Sequence, residues 1–138
     1  MNALKMIIWQ EKYSVGIDLL DRQHQQIIDL INCLFSVRAT VDARAMVIQT
    51  FKDLVRYTEI HFENEEELMQ LHHYADIENH KAVHRKMITQ TRKIQKESQE
   101  TGGDFSLETI AFLKEWWLGP IMTIDRKYIP CLTTEQTQ

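Results

Sequence analysis

The stretch FKDLVRYTEIHFENEEELM, Phe51 to Met69, decides the fold. Alternating steps of four and three from Val47 pick out Phe51, Leu54, Thr58, His61, Glu65 and Leu68. That spacing puts all of them on one face of an α-helix. The face opens as an apolar stripe fit for a core and then runs into a histidine and a glutamate. No Lys or Arg shares the stripe, and a buried carboxylate without a positive partner is costly.

Working outward, the same helical pattern extends from about Asp42, read as an N-cap, to Leu71. A first segment, Asp18 to Val37, carries Leu20, His24, Ile28, Ile31 and Phe35 at three- and four-residue steps. A third opens near Asp76 and reads Ile77, His80, His84, Met87, Thr91 and Ile94. A fourth follows the Gly102-Gly103 break, with Ser106 as its N-cap, and reads Ile110, Leu113, Trp117, Pro120 and Ile124. Four amphipathic helices joined by short connections predict an all-α, antiparallel up-down-up-down four-helix bundle. Residues 1–17, with Trp9, Tyr13 and Ile17, read as an extended N-terminal arm packed over the bundle, and residues 132–138 as a polar, disordered tail. The whole of 1–138 is expected to be one domain.

Bulk properties agree. Four Gly and two Pro in 138 residues leave little material for tight turns and favour helix over sheet. Sixteen basic against twenty acidic residues, a net charge of −4, point away from nucleic acid and from anionic membrane. No stretch approaches the ~20 apolar residues of a membrane span, and the first residues lack a signal-peptide pattern. Cys33 and Cys131 lie far apart without Cys-x-x-Cys spacing, and read as reduced thiols of a cytoplasmic protein.

The polar residues on the core faces carry the chemistry. A single histidine on an apolar face is usually a core residue with its hydrogen bonds met. His24, His61, His80 and His84 occupy such positions on three helices, together with Glu65. A metal cation would satisfy all five. His61-x-x-x-Glu65 and His80-x-x-x-His84 are each i, i+4 pairs, adjacent on one turn. Imidazole with carboxylate suits iron, manganese or zinc.

The ordered set of motifs resembles the hemerythrin family, and specifically its bacterial hemerythrin-like domains. It comprises Trp9, Tyr13 and Val15-Gly16-Ile17, then Asp21-Arg22-Gln23-His24, HFENEEELM (61–69), HKAVH (80–84), and Trp117 with IDRKY (124–128). The resemblance spans Trp9 to about Pro130. It implies two irons, oxo- or hydroxo-bridged, in the bundle core. It further implies His24 and His61 on one iron, His80 and His84 on the other, and Glu65 and Asp125 as bridging carboxylates. The family's fourth helix supplies one more histidine five residues before the aspartate; here that position is Pro120.

Proline inside a helix removes a backbone hydrogen bond and clashes with the preceding turn. The sequence therefore predicts a break or sharp kink near Leu118, with a second helical piece starting at Pro120. His72 and His73 lie about two turns beyond Glu65, ~10 Å along the helix, too far to replace the missing imidazole. The function the resemblance implies is oxygen binding for sensing, transport or delivery, with O2 or small anions as ligands. The incomplete ligand set implies ready oxidation and access for exogenous ligands. Iron-dependent peroxide or oxidase chemistry, a mononuclear site and a metal-poor interaction module are the other readings, and no enzyme activity is expected.

Overall fold

In the computed structural model, which describes residues 7–37, 43–100 and 107–134, every element is helical. Four helices form the body: α1 (Asp18–Val37), α2 (Ala43–Leu71), α3 (Ile77–Glu100) and α4 (Leu107–Met122). A 3-10 turn, Asp125–Tyr128, and a short α5, Ile129–Thr134, follow. Helix α1 packs against α2 and α4, and α3 closes the ring by packing against the same two. This is the antiparallel four-helix bundle that the stripes predict. The expected caps Asp42 and Ser106, and the Gly102-Gly103 break, lie outside the described residues.

Two apolar clusters hold the bundle. The larger joins Ile27, Ile31 and Leu34 of α1 to Phe51 and Leu54 of α2 and to Leu113 and Ile121 of α4. The smaller joins Val15, Leu20, Met69, Tyr128 and Leu132 at the other end. Each large apolar side chain buried in this way contributes about 1.5–3 kcal/mol. The polar residues fall between the clusters on every helix. His24 sits between Leu20 and Ile27, His61 and Glu65 between Leu54 and Met69, and Asp125 between Ile121 and Tyr128. The bundle thus carries a polar layer sealed by hydrocarbon above and below.

The stripes locate the core faces to within one residue. Leu34 and Met69 are fully buried where the steps selected Phe35 and Leu68, which are half-buried. Steps of three and four are both near 3.6, so pattern alone cannot choose between neighbours at a stripe's edge.

The described part of the arm packs on the bundle. Asn32 of α1 accepts from the Ile7 N–H at 2.8 Å and donates to the Ile7 carbonyl at 2.8 Å. Asp21 accepts from Ser14 Oγ at 2.5 Å and from the Val15 N–H at 2.8 Å. Between them the chain reverses at Gly16, φ 79, where a side chain would be strained. Arg126 donates to the carbonyls of Lys12 and Ser14, which fastens the arm to the segment bearing Asp125.

Pro120 does not break α4. The helix runs without interruption through Gly119 and Pro120 to Met122. The proline lies two residues from the helix end, so it removes one ladder bond, the one to the Trp116 carbonyl, and disturbs little beyond it. The Thr123 N–H closes the last turn on the Gly119 carbonyl at 3.0 Å, and Thr123 Oγ1 donates to the same oxygen at 2.8 Å. The break comes later, at residues 123–124, and the 3-10 turn that follows re-aims the chain. The expected disordered tail is also corrected in part. Residues 132–134 belong to α5, and Leu132 is buried because it completes the smaller cluster.

Candidate metal centre

Six side chains from all four sides of the bundle converge in the polar layer. His24 comes from α1, His61 and Glu65 from α2, His80 and His84 from α3, and Asp125 from the 3-10 turn after α4. All six are buried. They form two overlapping groups, His24, His61, Glu65, Asp125 and Glu65, His80, His84, Asp125. In each group the candidate ligand atoms lie within 4.8 Å of one another. Glu65 and Asp125 belong to both, which is the geometry two carboxylates need to span a pair of ions.

Asp125 is shared evenly. Its Oδ2 lies 3.2 Å from His24 Nε2 and its Oδ1 3.1 Å from His80 Nε2. Glu65 is not. Its Oε1 lies 3.1 Å from His80 Nε2 and 2.7 Å from His84 Nε2. Its Oε2 accepts from the Tyr128 hydroxyl at 2.6 Å and stands 3.5 Å from His61 Nε2 and 3.9 Å from His24 Nε2. The buried nitrogens His24 Nε2 and His61 Nε2 have no aligned hydrogen-bond partner. Orphaned buried nitrogens facing two carboxylates are the condition a cation relieves. Four imidazoles and two carboxylates, with no thiolate, form a donor set that fits iron.

Outer contacts fix two of the rings. His61 Nδ1 donates to Gln23 Oε1 at 2.8 Å, which leaves the Nε2 lone pair facing the centre. His84 Nδ1 donates to Glu66 Oε2 at 2.7 Å. Phe62 stacks on His84, with ring centroids 3.7 Å apart and planes 4° from parallel. Gln23, Glu66 and Tyr128 lie in or beside the quoted motifs, yet spacing within one helix gives none of them a role. Tyr128 meets Glu65 across 63 residues of sequence, which no local pattern reports.

Charge in the metal-free layer follows the carboxylate contacts. Burial pulls the His24 and His80 pKa values down, but Asp125 and Glu65 more than offset it. The result is His24 raised and His80 raised to about 9. For His61 burial prevails, and its pKa is lowered. Burial pushes the Glu65 carboxyl up, yet the surrounding histidines hold it well below the ordinary carboxylate range. Burial and the adjacent Glu65 carboxylate raise the Tyr128 phenol well above its usual value.

His72 and His73 take no part in either group. Helix α2 ends at Leu71, His73 adopts a left-handed φ of 55°, and the Tyr74 N–H reaches back to the Met69 carbonyl at 2.9 Å. This C-terminal cap turns the chain away from the centre. Cys33 Sγ lies 3.7 Å from Thr50 Oγ1 and Cys131 Sγ donates to the His72 carbonyl, so neither thiol joins the layer. Among the described residues no helix is long and apolar enough to cross a membrane.

Known proteins resemble this chain in sequence and fold. Residues 15–132 match the family model of the hemerythrin HHE cation binding domain. A bacteriohemerythrin of Methylococcus capsulatus is 30% identical over 122 residues, 88% of this chain and 92% of that protein. One of Stenotrophomonas maltophilia is 33% identical over 125 residues, 91% of this chain and 80% of its own length. The crystal structure of a wild-type hemerythrin superposes with a TM-score of 0.85 at 29% identity, covering 94% of this chain and all of the other. The family model spans most of the chain and the fold coincides, and the chain belongs to the hemerythrin family of non-haem di-iron domains.

Proposed function

We propose that this domain binds oxygen at a di-iron centre, for sensing, transport or delivery, and that it acts in the cytoplasm by binding rather than by turnover. The observation that carries this reading is the sharing of Glu65 and Asp125 between two buried ligand groups. In it, His24 and His61 would hold one iron and His80 and His84 the other, with Glu65 and Asp125 available to both. When bound, the irons supply one electron each and an open coordination position for oxygen. The residues supply the rest. Gln23 and Glu66 orient His61 and His84 through their Nδ1 protons. Tyr128 holds a proton 2.6 Å from Glu65 Oε2, and the two apolar clusters keep bulk water out.

Pro120 offers no donor where the family places a histidine, five residues before Asp125. The His80/His84 side would then be one imidazole short, which would leave the centre open to small anions and quick to oxidise. The test is iron per chain by elemental analysis on protein from iron-fed cells, with zinc and manganese counted, followed by optical spectra as the reduced protein meets air. Close to two irons and rapid conversion to a ferric spectrum are expected. One iron or fewer would overturn the di-iron reading, and an unchanged spectrum in air would overturn oxygen reactivity.

A further inference from the structure

Two tryptophans stand side by side on α4 and meet different fates. Trp116 Nε1 donates to the Met87 carbonyl at 3.4 Å. Trp117, one residue on, is 1% exposed, and its Nε1 has no partner. A buried N–H without an acceptor is a standing cost that native proteins rarely carry without a use. The surroundings narrow what the acceptor is. The Trp117 ring centroid lies 6.3 Å from that of His61 and 5.5 Å from that of Phe62. The His61 ring in turn packs edge-on against His24 at 4.4 Å. Every polar atom left unpaired on these three rings, namely Trp117 Nε1, His61 Nε2 and both nitrogens of His24, is buried on the same side of the layer. The unpaired indole donor therefore adjoins the half of the centre whose imidazoles are also waiting for a partner.

We propose that the Trp117 indole N–H donates a hydrogen bond to a small anionic ligand held beside His61. This inference rests on the di-iron reading and deepens it. The nitrogens of His24 and His61 face the cation, and Trp117 serves the anion that the cation brings with it. Trp117 then acts as a selectivity residue, favouring ligands that offer an acceptor atom beyond the atom at the metal. It contributes little to holding the iron.

The test compares Trp117→Phe with the unsubstituted protein after both are loaded with iron, using azide as the probe. Phenylalanine keeps most of the ring and removes the donor. Iron per chain is expected to stay the same, while azide affinity, read from the optical change on titration, falls about tenfold, the effect of one hydrogen bond to a charged group. The infrared azide stretch is expected to move between H2O and D2O in the unsubstituted protein and to stay fixed in Trp117→Phe. Equal azide affinity with iron retained would overturn the proposal. So would loss of iron in Trp117→Phe, because Trp117 would then hold the metal site itself rather than its anion. A modest drop in melting temperature is expected from the lost ring volume alone. Should Trp117→Phe not fold, the H2O/D2O comparison on the unsubstituted protein decides alone, and an azide stretch indifferent to D2O would sink the idea. If the unsubstituted protein itself took up no iron, the di-iron reading and this inference would fall together, a result distinct from iron bound with azide affinity unchanged.

Discussion

The two halves of the polar layer are built from the same residue types and are left in different states. On the His80/His84 side the ring Nε2 atoms of both histidines reach Glu65 Oε1, and Glu66 takes the His84 Nδ1 proton. On the His24/His61 side Glu65 Oε2 stands off at 3.9 and 3.5 Å from the two Nε2 atoms, and His24 Nε2 has its nearer carboxylate oxygen in Asp125 Oδ2 at 3.2 Å. Glu65 therefore leans toward α3, held there by His84 and by Tyr128. Neither half is fully met without a cation, since His80 Nδ1 on one side and His24 Nδ1 and His61 Nε2 on the other lack hydrogen-bond partners, but Glu65 serves the α3 side first. Local satisfaction and metal affinity are separate properties, and the shared carboxylates connect them.

The largest effect should come from breaking that connection. Glu65→Ala removes a member of both groups, leaves His84 Nε2 and the Tyr128 hydroxyl without their acceptor, and leaves His80 Nε2 with Asp125 alone. Iron per chain is expected to fall from near two to well under one. The metal-free variant should also lose about 3–5 kcal/mol, the usual cost of removing one member of a buried charged set. Chelated samples melted side by side measure the second effect without interference from metal. If Glu65→Ala kept both irons, the shared-carboxylate account would be wrong.

Pro120→His sharpens the comparison from the other side. An added imidazole should slow iron loss to a chelator about tenfold or more and delay oxidation in air, because it completes the His80/His84 side. Histidine also restores a backbone N–H, so Pro120→Ala is the control for the helix alone. The difference between the two variants isolates the imidazole. Identical behaviour would mean that position 120 does not face the centre.

Much of this was legible before any coordinates. The stripes of α1, α2 and α3 report burial because helix geometry is local, and His24, His61, Glu65, His80 and His84 stood out as polar residues on apolar faces. Asp125 did not stand out by pattern. It follows the end of α4 on a 3-10 turn, where no 3.6-residue rhythm survives, and only its place in the IDRKY motif drew attention to it. Of the break or sharp kink expected near Leu118, the break does not occur, because helix propensity is a weak prior against tertiary packing. Trp117 and Ile121 are both fully buried and hold α4 in place on either side of Pro120. The roles of Tyr128, Gln23 and Glu66 are contacts between helices, and no spacing within one helix encodes them.

A smaller effect is expected at Tyr128. Tyr128→Phe removes the 2.6 Å hydrogen bond to Glu65 Oε2 and leaves the ring in the smaller cluster. Metal-free stability should fall by about 1–3 kcal/mol, the range for a buried hydrogen bond to a charged acceptor. Iron should remain. If the asymmetry of Glu65 depends on Tyr128, the freed Oε2 can turn toward His61, and the optical spectrum of the iron-loaded variant should shift. A variant as stable as its parent would mean that the hydroxyl is idle.

The gentlest probe is pH, applied to the metal-free protein. His80 has a folded pKa raised to about 9 from an ordinary 6.5, and His24 is raised as well. A raised folded pKa means the folded state holds its proton more tightly than the unfolded chain does. The stability this gives is fully present below pH 6.5 and is lost as pH rises toward 9, at up to about 1.4 kcal/mol per pH unit for one proton. His61, lowered by burial, has the opposite sign: it costs stability only as pH falls below 6.5. The metal-free protein should therefore be most stable near neutrality, with a melting temperature that declines between pH 7 and 9. Iron-loaded protein should not share that decline, because metal binding displaces those protons and is favoured as they leave. A His80→Gln variant should reduce the alkaline slope in chelated samples to the part that His24 carries. If the slope between pH 7 and 9 were undiminished in that variant, the proton would not belong to His80, and the carboxylate pairing on the α3 side would not be what holds the metal-free layer together.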